Sequence, residues 1–416
     1  MKRRRFFETL TAALLAVLIG TVLAAPAMAQ GNSGKNKDKE EDGSGDGPTF
    51  VDPGVRYAVE LVDLPVGAVS AILFGCNDAG QVVGEAFIDG VSRALLIESS
   101  GTSGSSYVLD EITDGVPPNH VIRRATAIND AGLISVYRDD TSLEGLQLYP
   151  GIVDTHSEIP QFYRIPTTDS GHAVATDINN EGDVLILALD DNARILGDMY
   201  LFNHGLLHEE LKAEELELIL RVNDAPTPRL SDRLPIGGSH DLFVIGNGPY
   251  PFRYNISTGE DLELAIEDDG AGTTITFVTP FPAIANSWGD FMGNAITRTR
   301  HTKNGRLLSS TRTSFLQQLN GELDISYPEH AFSLNDSLDI IGLDFVIHED
   351  TTFSIFDLLD PEDPGTDVLL QNAERLTLEL LTNRIMEDSD FPVVYGRVVF
   401  EDETERVVIL TPFPTE

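Results

Sequence analysis

The chain has one cysteine, Cys76, and one tryptophan, Trp288, in 416 residues, and is short of cations, with 28 lysines and arginines against 67 carboxylates. A single thiol excludes an intramolecular disulfide framework. A chain of this length builds a core without one. The excess of acid, a formal net charge of -39, argues against nucleic acid and anionic membranes as partners. It is compatible with cation binding, and equally with a solvated surface that keeps an exported protein soluble.

Long apolar runs are also scarce. The one at Leu10 to Ala25 follows Lys2, Arg3, Arg4 and Arg5 and precedes Ala27-Met28-Ala29, the layout of a cleaved export signal over residues 1–29 that leaves Gln30 first. An uncleaved anchor is the competing reading, but about 16 apolar-leaning residues ending at Pro26 are short for a span. Arg3-Arg4-Arg5-Phe6-Phe7 also fits a twin-arginine export pattern loosely, with Glu8 where a basic residue is usual. Removing the signal takes four cations and Glu8 away, which leaves -42. Residues 30–48 contain no large apolar side chain and read as a disordered linker. The C-terminus ends Thr411-Pro412-Phe413 without a hydrophobic anchor, so the expectation is a secreted or periplasmic product with no stable membrane insertion.

What is abundant is a turn. Cys76-Asn77-Asp78-Ala79-Gly80-Gln81-Val82-Val83-Gly84 runs from a polar turn straight into a small, apolar strand, and it recurs. Asn129-Asp130-Ala131-Gly132, Asn179-Asn180-Glu181-Gly182, Asn286-Ser287-Trp288-Gly289 and Asn335-Asp336-Ser337-Leu338 are clear copies. Degenerate copies are placed at Ser239-His240-Asp241 and Ser389-Asp390-Phe391-Pro392. The anchors 77, 129, 179, 239, 286, 335 and 389 are spaced by 52, 50, 60, 47, 49 and 54 residues, one supersecondary unit repeated seven times. In the first unit Ala71 to Phe74, Gln81 to Ile88, Arg93 to Ile97 and Tyr107 to Ile112 read as four short strands. Asn and Asp favour such turns because they hydrogen-bond nearby backbone, and Gly80 tolerates a positive φ.

Four-stranded antiparallel units at this period predict an all-β fold, a single seven-bladed β-propeller over residues 49–416. A stacked solenoid is the less suitable alternative. The seventh copy stops after its third strand, Glu405 to Leu410, whereas residues 57–64 ahead of the first copy resemble the fourth strand Tyr107 to Ile112. The N-terminal strand is therefore expected to complete the last blade and close the ring. Two insertions, Leu207 to Val222 and Val368 to Met386, fit either a rim helix or a long outer strand.

The turn segments Ile128-Asn129-Asp130-Ala131-Gly132 and Asn77 to Gly84 resemble those of the bacterial extracellular HAF-repeat family. The His-Ala-Phe strand of that family is poorly matched, by Arg93-Ala94-Leu95 and Ser314-Phe315-Leu316; His330-Ala331-Phe332 spells it, but ahead of the sixth turn. Members are mostly of unassigned function, so the resemblance implies a bacterial, exported repeat protein and no particular activity.

No motif names a reaction, and no catalytic, metal or ligand residue is assigned. Ser239-His240-Asp241 has the three residue types of a nucleophilic triad, but consecutive residues in extended chain alternate faces and cannot converge. No Gly-x-Ser-x-Gly elbow is present. His204 and His208 with Glu209 and Glu210 have metal-ligand spacing, yet the sequence is not His-Glu-x-x-His. Calcium suits Glu267-Asp268-Asp269-Gly270 or Asp357, Asp360, Glu362, Asp363 and Asp367 better, although neither has the spacing of an EF-hand loop. No other cofactor is implied. Cys76 reads as a buried small side chain, and Trp288 as either a ligand contact or packing between blades. Two functions remain open: an exported binding or scaffolding module for a protein, glycan or cation, and a propeller hydrolase or lyase acting on an extracellular polymer. Paired carboxylates or a histidine with an orienting acid at a channel mouth would favour the second.

Overall fold

In a computed structural model the recurring turns join the first and second strands of seven antiparallel sheets. The structure describes residues 53–415 except 100–103, 144–146, 167–171, 191–194, 204–216, 222–227, 233, 237–238, 248–250, 265–266, 269–272, 279–283, 301–306, 329–330 and 387–388. The signal and linker, residues 1–48, lie outside the described residues.

The sheets follow in chain order as the blades of a propeller. Blade 1 is Ala68–Cys76, Gln81–Ile88, Val91–Glu98 and Ser105–Val108. Blade 2 is His120–Ile128, Leu133–Asp140, Leu148–Asp154 and Gln161–Arg164. Blade 3 begins with His172–Ile178 and Asp183–Leu189 and ends with Glu217–Arg221. Blades 4 and 6 are short-stranded, and blade 5 is enlarged to six strands. Blade 7 combines Ala373–Met386, Ser389–Phe400 and Glu405–Pro414 with the N-terminal strand Val55–Asp63.

That last pairing closes the ring as the sequence predicts. Val55 faces Pro414 and Asp63 faces Arg406 in unbroken antiparallel register. Tyr57, fully buried, donates its hydroxyl hydrogen to the Pro392 carbonyl at 3.0 Å.

The period of two along each strand distributes apolar side chains to both faces of a blade. Val82 packs toward blade 7 beside Tyr395 and Ile409, while its neighbour Val83 packs toward blade 2 beside Ile122 and Ile134. Seven such clusters fill the seven junctions between blades. Burying one leucine such as Leu96 contributes about 1.5–3 kcal/mol, so each junction is a small core of its own.

The asparagines do more than turn the chain. Asn77 Oδ1 accepts from Gln81 N at 3.0 Å, and its Nδ2 donates to the Asn129 carbonyl of the next blade at 3.0 Å. Asn129 repeats this with Leu133 N and the Asn179 carbonyl, both at 2.9 Å. Asn179, Asn286 and Asn335 do the same toward Ser231, Asn335 and Thr382. The glycines that end four of these turns have positive φ, from 71° at Gly132 to 85° at Gly80.

These bonds correct two anchors. The fourth turn is at Ser231-Asp232, because a hairpin of Leu234–Ile236 and Ser239–Asp241 is inserted between it and the second strand. Ser231 substitutes for asparagine by accepting from Phe243 N at 2.9 Å through its hydroxyl. The seventh is at Thr382-Asn383, where the hairpin runs on past the turn position to Met386 and Ser389. With anchors at 77, 129, 179, 231, 286, 335 and 382 the spacings become 52, 50, 52, 55, 49 and 47.

One local expectation also changes, and the two insertions left open are decided. The fourth strand of blade 1 stops at Val108, and Leu109–Ile112 is a helical turn that buries Leu109. Within the first insertion, Glu217–Arg221 is the outer strand of blade 3. The second is a helix, Pro364–Asn372, followed by the first strand of blade 7 rather than an outer one. Asp363 caps that helix, accepting from Gly365 N and also from Val59 N of the closing strand, both at 2.7 Å.

Candidate functional site

Strand direction decides which side chains meet. The first strand of each blade runs toward the asparagine turn and the second runs away from it. Residues that open a first strand, close a second, open a third or close a fourth therefore share the opposite end of the ring. In blade 2 those positions hold His120, Asp140, Tyr149 and Arg164, and His172 opens blade 3.

These residues form one cluster around the Tyr149 ring. His120 meets it edge-on at 6.1 Å between centroids, and His172 stacks on it at 6.3 Å. The Arg138 guanidinium lies 4.9 Å from the ring centre and that of Arg164 5.9 Å. Arg138 and Tyr149 are directly paired across their two strands. The Phe162 ring covers the other approach to Arg138 at 5.5 Å. Gly151 makes room for it, because a Cβ there would stand 2.4 Å from that ring.

The charges are arranged unevenly. Arg138 is only 2% exposed, and its Nη1 contacts His120 Nδ1 and lies 3.1 Å from Nε2. A guanidinium only donates, so the imidazole nitrogen that accepts from it carries no proton. Burial first, then the Arg138 charge, lowers the His120 pKa from its ordinary value. His120 is thus held neutral near pH 7. Asp140 Oδ2 is 3.6 Å from His120 Nε2. Asp140 Oδ1 accepts from Ser142 N and Oγ, and these bonds lower the Asp140 pKa. Asp139, next in sequence, is occupied by Arg123 at 2.5 Å.

At the asparagine-turn end the residues Asp78, Asp130, Asn180, Asp232, Ser287, Asp336 and Asn383 are linked one to the next by hydrogen bonds, each from a backbone N–H to the following residue's side chain except the backbone link from Asp232 N to the Ser287 carbonyl. Asp130 Oδ1 accepts from Asp78 N, Asn180 Oδ1 from Asp130 N, and Asp232 Oδ1 from Asn180 N, at 2.8–3.0 Å. Burial raises Asp232 to about 6, and the Glu181 and Asp336 charges add to the rise. Between the two ends Arg229 of blade 4 crosses the axis, donating to the Phe74 carbonyl of blade 1 at 2.9 Å and pairing with Asp177 at 3.3 Å. A cleft of about 570 Å³ opens at the turn end beside Gly80, Gly132, Tyr107 and His156, and a groove of about 1040 Å³ lies beside the closing strand. Neither is lined by the Tyr149 cluster.

The residues weighed from sequence are not brought together. Ser239 and Asp241 end the return strand of the inserted hairpin, so this segment is a strand and not the fourth repeat turn. His204, His208, Glu209 and Glu210 lie outside the described residues, as do Asp269 and Gly270; Glu267-Asp268 is a two-residue strand. Asp363 is the helix cap, and Asp360 Oδ1 accepts from Glu362 N at 3.0 Å. Among the described residues no three His, Cys, Asp or Glu side chains are grouped to hold a metal ion. The Cys76 thiol contacts the Leu381 carbonyl at 3.1 Å, and burial with the Asp78 and Asp130 charges pushes its pKa far up, which leaves it protonated. Trp288 is half exposed in the fifth turn. The Tyr149 cluster was missed, although a signal exists: His120 and His172 each stand shortly before a repeat asparagine, and Asp140 and Asp190 each stand 11 residues after it.

No family model matches the chain, and no curated protein matches it. The likeness to the HAF-repeat family therefore remains one of turn residues. Among solved structures, a protein of unknown function from Bacteroides thetaiotaomicron is 11% identical over 86% of this chain and 76% of its own, with a TM-score of 0.39. The polysaccharide lyase Uly1 is 8% identical over 87% of this chain and 98% of its own, also at 0.39. A Lactobacillus plantarum protein is 13% identical over 68% and 79%, at 0.33. The propeller rests on the sheets themselves and not on these likenesses. Among the described residues no helix is long and apolar enough to cross a membrane.

Proposed function

We propose that this chain is an exported propeller enzyme, a hydrolase or lyase acting on an extracellular polymer, with its proton-transferring groups at His120, Tyr149 and His172. One observation carries the reading: a phenol flanked by two imidazoles and two guanidiniums at the edge where blades 2 and 3 meet. Asp140, with Oδ2 3.6 Å from His120 Nε2, adds an acid near one of the two histidines, which supports catalysis over plain binding. Export is inferred from residues 1–29, and a polymer substrate is the class carried over from the sequence, with Arg164 the exposed member of the cluster that such a chain would meet.

The chemistry follows from the charges. Imidazole and phenol are side chains that transfer protons near neutral pH, and the two guanidiniums face negative charge that develops at the ring. Such groups contribute about 10²–10⁴-fold each when positioned on the reacting atom. The test incubates the protein with a panel of neutral and acidic extracellular polysaccharides and reads chain shortening, new reducing ends and new ultraviolet-absorbing double bonds. Shortening by wild type that is lost in His172→Asn supports the reading. No shortening across the panel, or full activity in His172→Asn, leaves a binding module.

A further inference from the structure

A buried arginine normally faces a carboxylate, because the cost of desolvating its charge is otherwise not offset. Arg138 does not. It is 2% exposed, no carboxylate among the described residues lies within salt-bridge distance of it, and its Nε is a buried donor without a partner among them. What surrounds the guanidinium is His120, which is neutral, and the faces of Tyr149 and Phe162. Arg164 sits over the same Tyr149 ring and is exposed. The nearest acids are already committed: Asp139 to Arg123, and Asp140 to Ser142 and His120.

Two guanidiniums gathered at one ring also repel each other, and burial together with the Arg164 charge pulls Arg138 down to about 10. In a chain with 67 carboxylates and 28 lysines and arginines, a pair of cations without an acid partner among the described residues is unusual in place and sign. The arrangement is complete only when an anion arrives, and the planar fork of arginine suits an oxyanion.

We propose that the Arg138 and Arg164 pair takes the anionic group of an acidic glycan, a carboxylate or a sulfate ester, and holds that sugar unit against Tyr149. This rests on reading the cluster as the functional site and adds the ligand's charge class. Arg164, at the surface, makes first contact and carries the salt dependence. Arg138, deeper, selects for charge, since a neutral sugar leaves its Nε unpaired.

Calorimetric titration of the full mature chain with three tetrasaccharides tests this: one of galacturonate units, one carrying sulfate esters, and neutral cellotetraose. Binding of either acidic probe is expected, with affinity falling as salt rises, no binding of cellotetraose, and a loss of about tenfold or more in Arg164→Gln. Which acidic probe binds identifies the anion. Because Arg164 is exposed, that variant folds, while Arg138→Gln serves as a second variant after its melting temperature is checked. Cellotetraose binding as tightly as the acidic probes, unchanged affinity in Arg164→Gln, or no acidic probe binding at millimolar concentration would overturn the proposal. The two readings separate cleanly. Acidic binding without any polymer cleavage removes the enzyme and keeps the anion site; cleavage of neutral polymers alone keeps the enzyme and removes the anion site.

Discussion

At the scale of single residues, asparagine is the unit of this architecture. Asn129 is 3% exposed and satisfies both ends of its amide, its oxygen within its own turn and its nitrogen on the next blade. Asn129→Ala leaves the buried Leu133 N–H unpaired and takes from the Asn179 carbonyl one of its two donors, the other being Gly182 N, and a loss of about 1–3 kcal/mol in denaturant unfolding is expected; a loss within experimental error would contradict the role. The Asp232 carboxyl predicts a pH dependence. Its folded pKa of about 6 lies above the unfolded value of about 4, so the folded protein binds this proton more tightly. Its contribution to stability therefore grows as pH falls from about 6 toward about 4 and is absent above about 6. Melting temperatures across that window should show this slope in wild type and lose it in Asp232→Asn. The asparagines were legible in the sequence as turn residues, but their second bond was not, because Asn129 and Asn179 are 50 residues apart and only closure of the ring brings them together.

At the scale of elements, strand existence was easier to read than strand role. Gln81 to Ile88 was placed to the residue, since an apolar run between a glycine turn and Asp89-Gly90 has obvious ends. Tyr107 to Ile112 was not, because Leu109 has the same apolar character whether it pairs in a strand or turns inward as a helix. The fourth turn was misplaced for a related reason: Ser231 does by its hydroxyl what asparagine does by its amide, and the inserted hairpin offered a more familiar polar triplet in Ser239-His240-Asp241. The closing strand was legible because blade 7 lacked a fourth strand in its own segment. Its removal is the matching prediction. A chain lacking residues 49–64 exposes the edge of Glu405–Pro414 and the junction around Tyr57, and it should fail to give a cooperative melting transition; melting like the full domain would contradict ring closure.

At the scale of the whole molecule, the two ends of the propeller divide the work. The turn end holds the blades to one another through repeated, similar bonds, which is why it left a period in the sequence. The opposite end carries His120, Arg138, Tyr149, Arg164 and His172, which come from five strands of two blades and share no local motif. Their grouping depends on register and strand direction, and a sequence scanned for neighbouring triads or metal spacings passes over them. Polymer cleavage by wild type, Asn129→Ala and Tyr149→Phe, measured per folded molecule beside each melting temperature, tests this division most directly. Tyr149→Phe should keep its melting temperature and lose about 10²-fold or more in rate, whereas Asn129→Ala should melt lower and keep its rate. A Tyr149→Phe protein that cleaves as wild type does, or an Asn129→Ala protein that is inactive while folded, would contradict it.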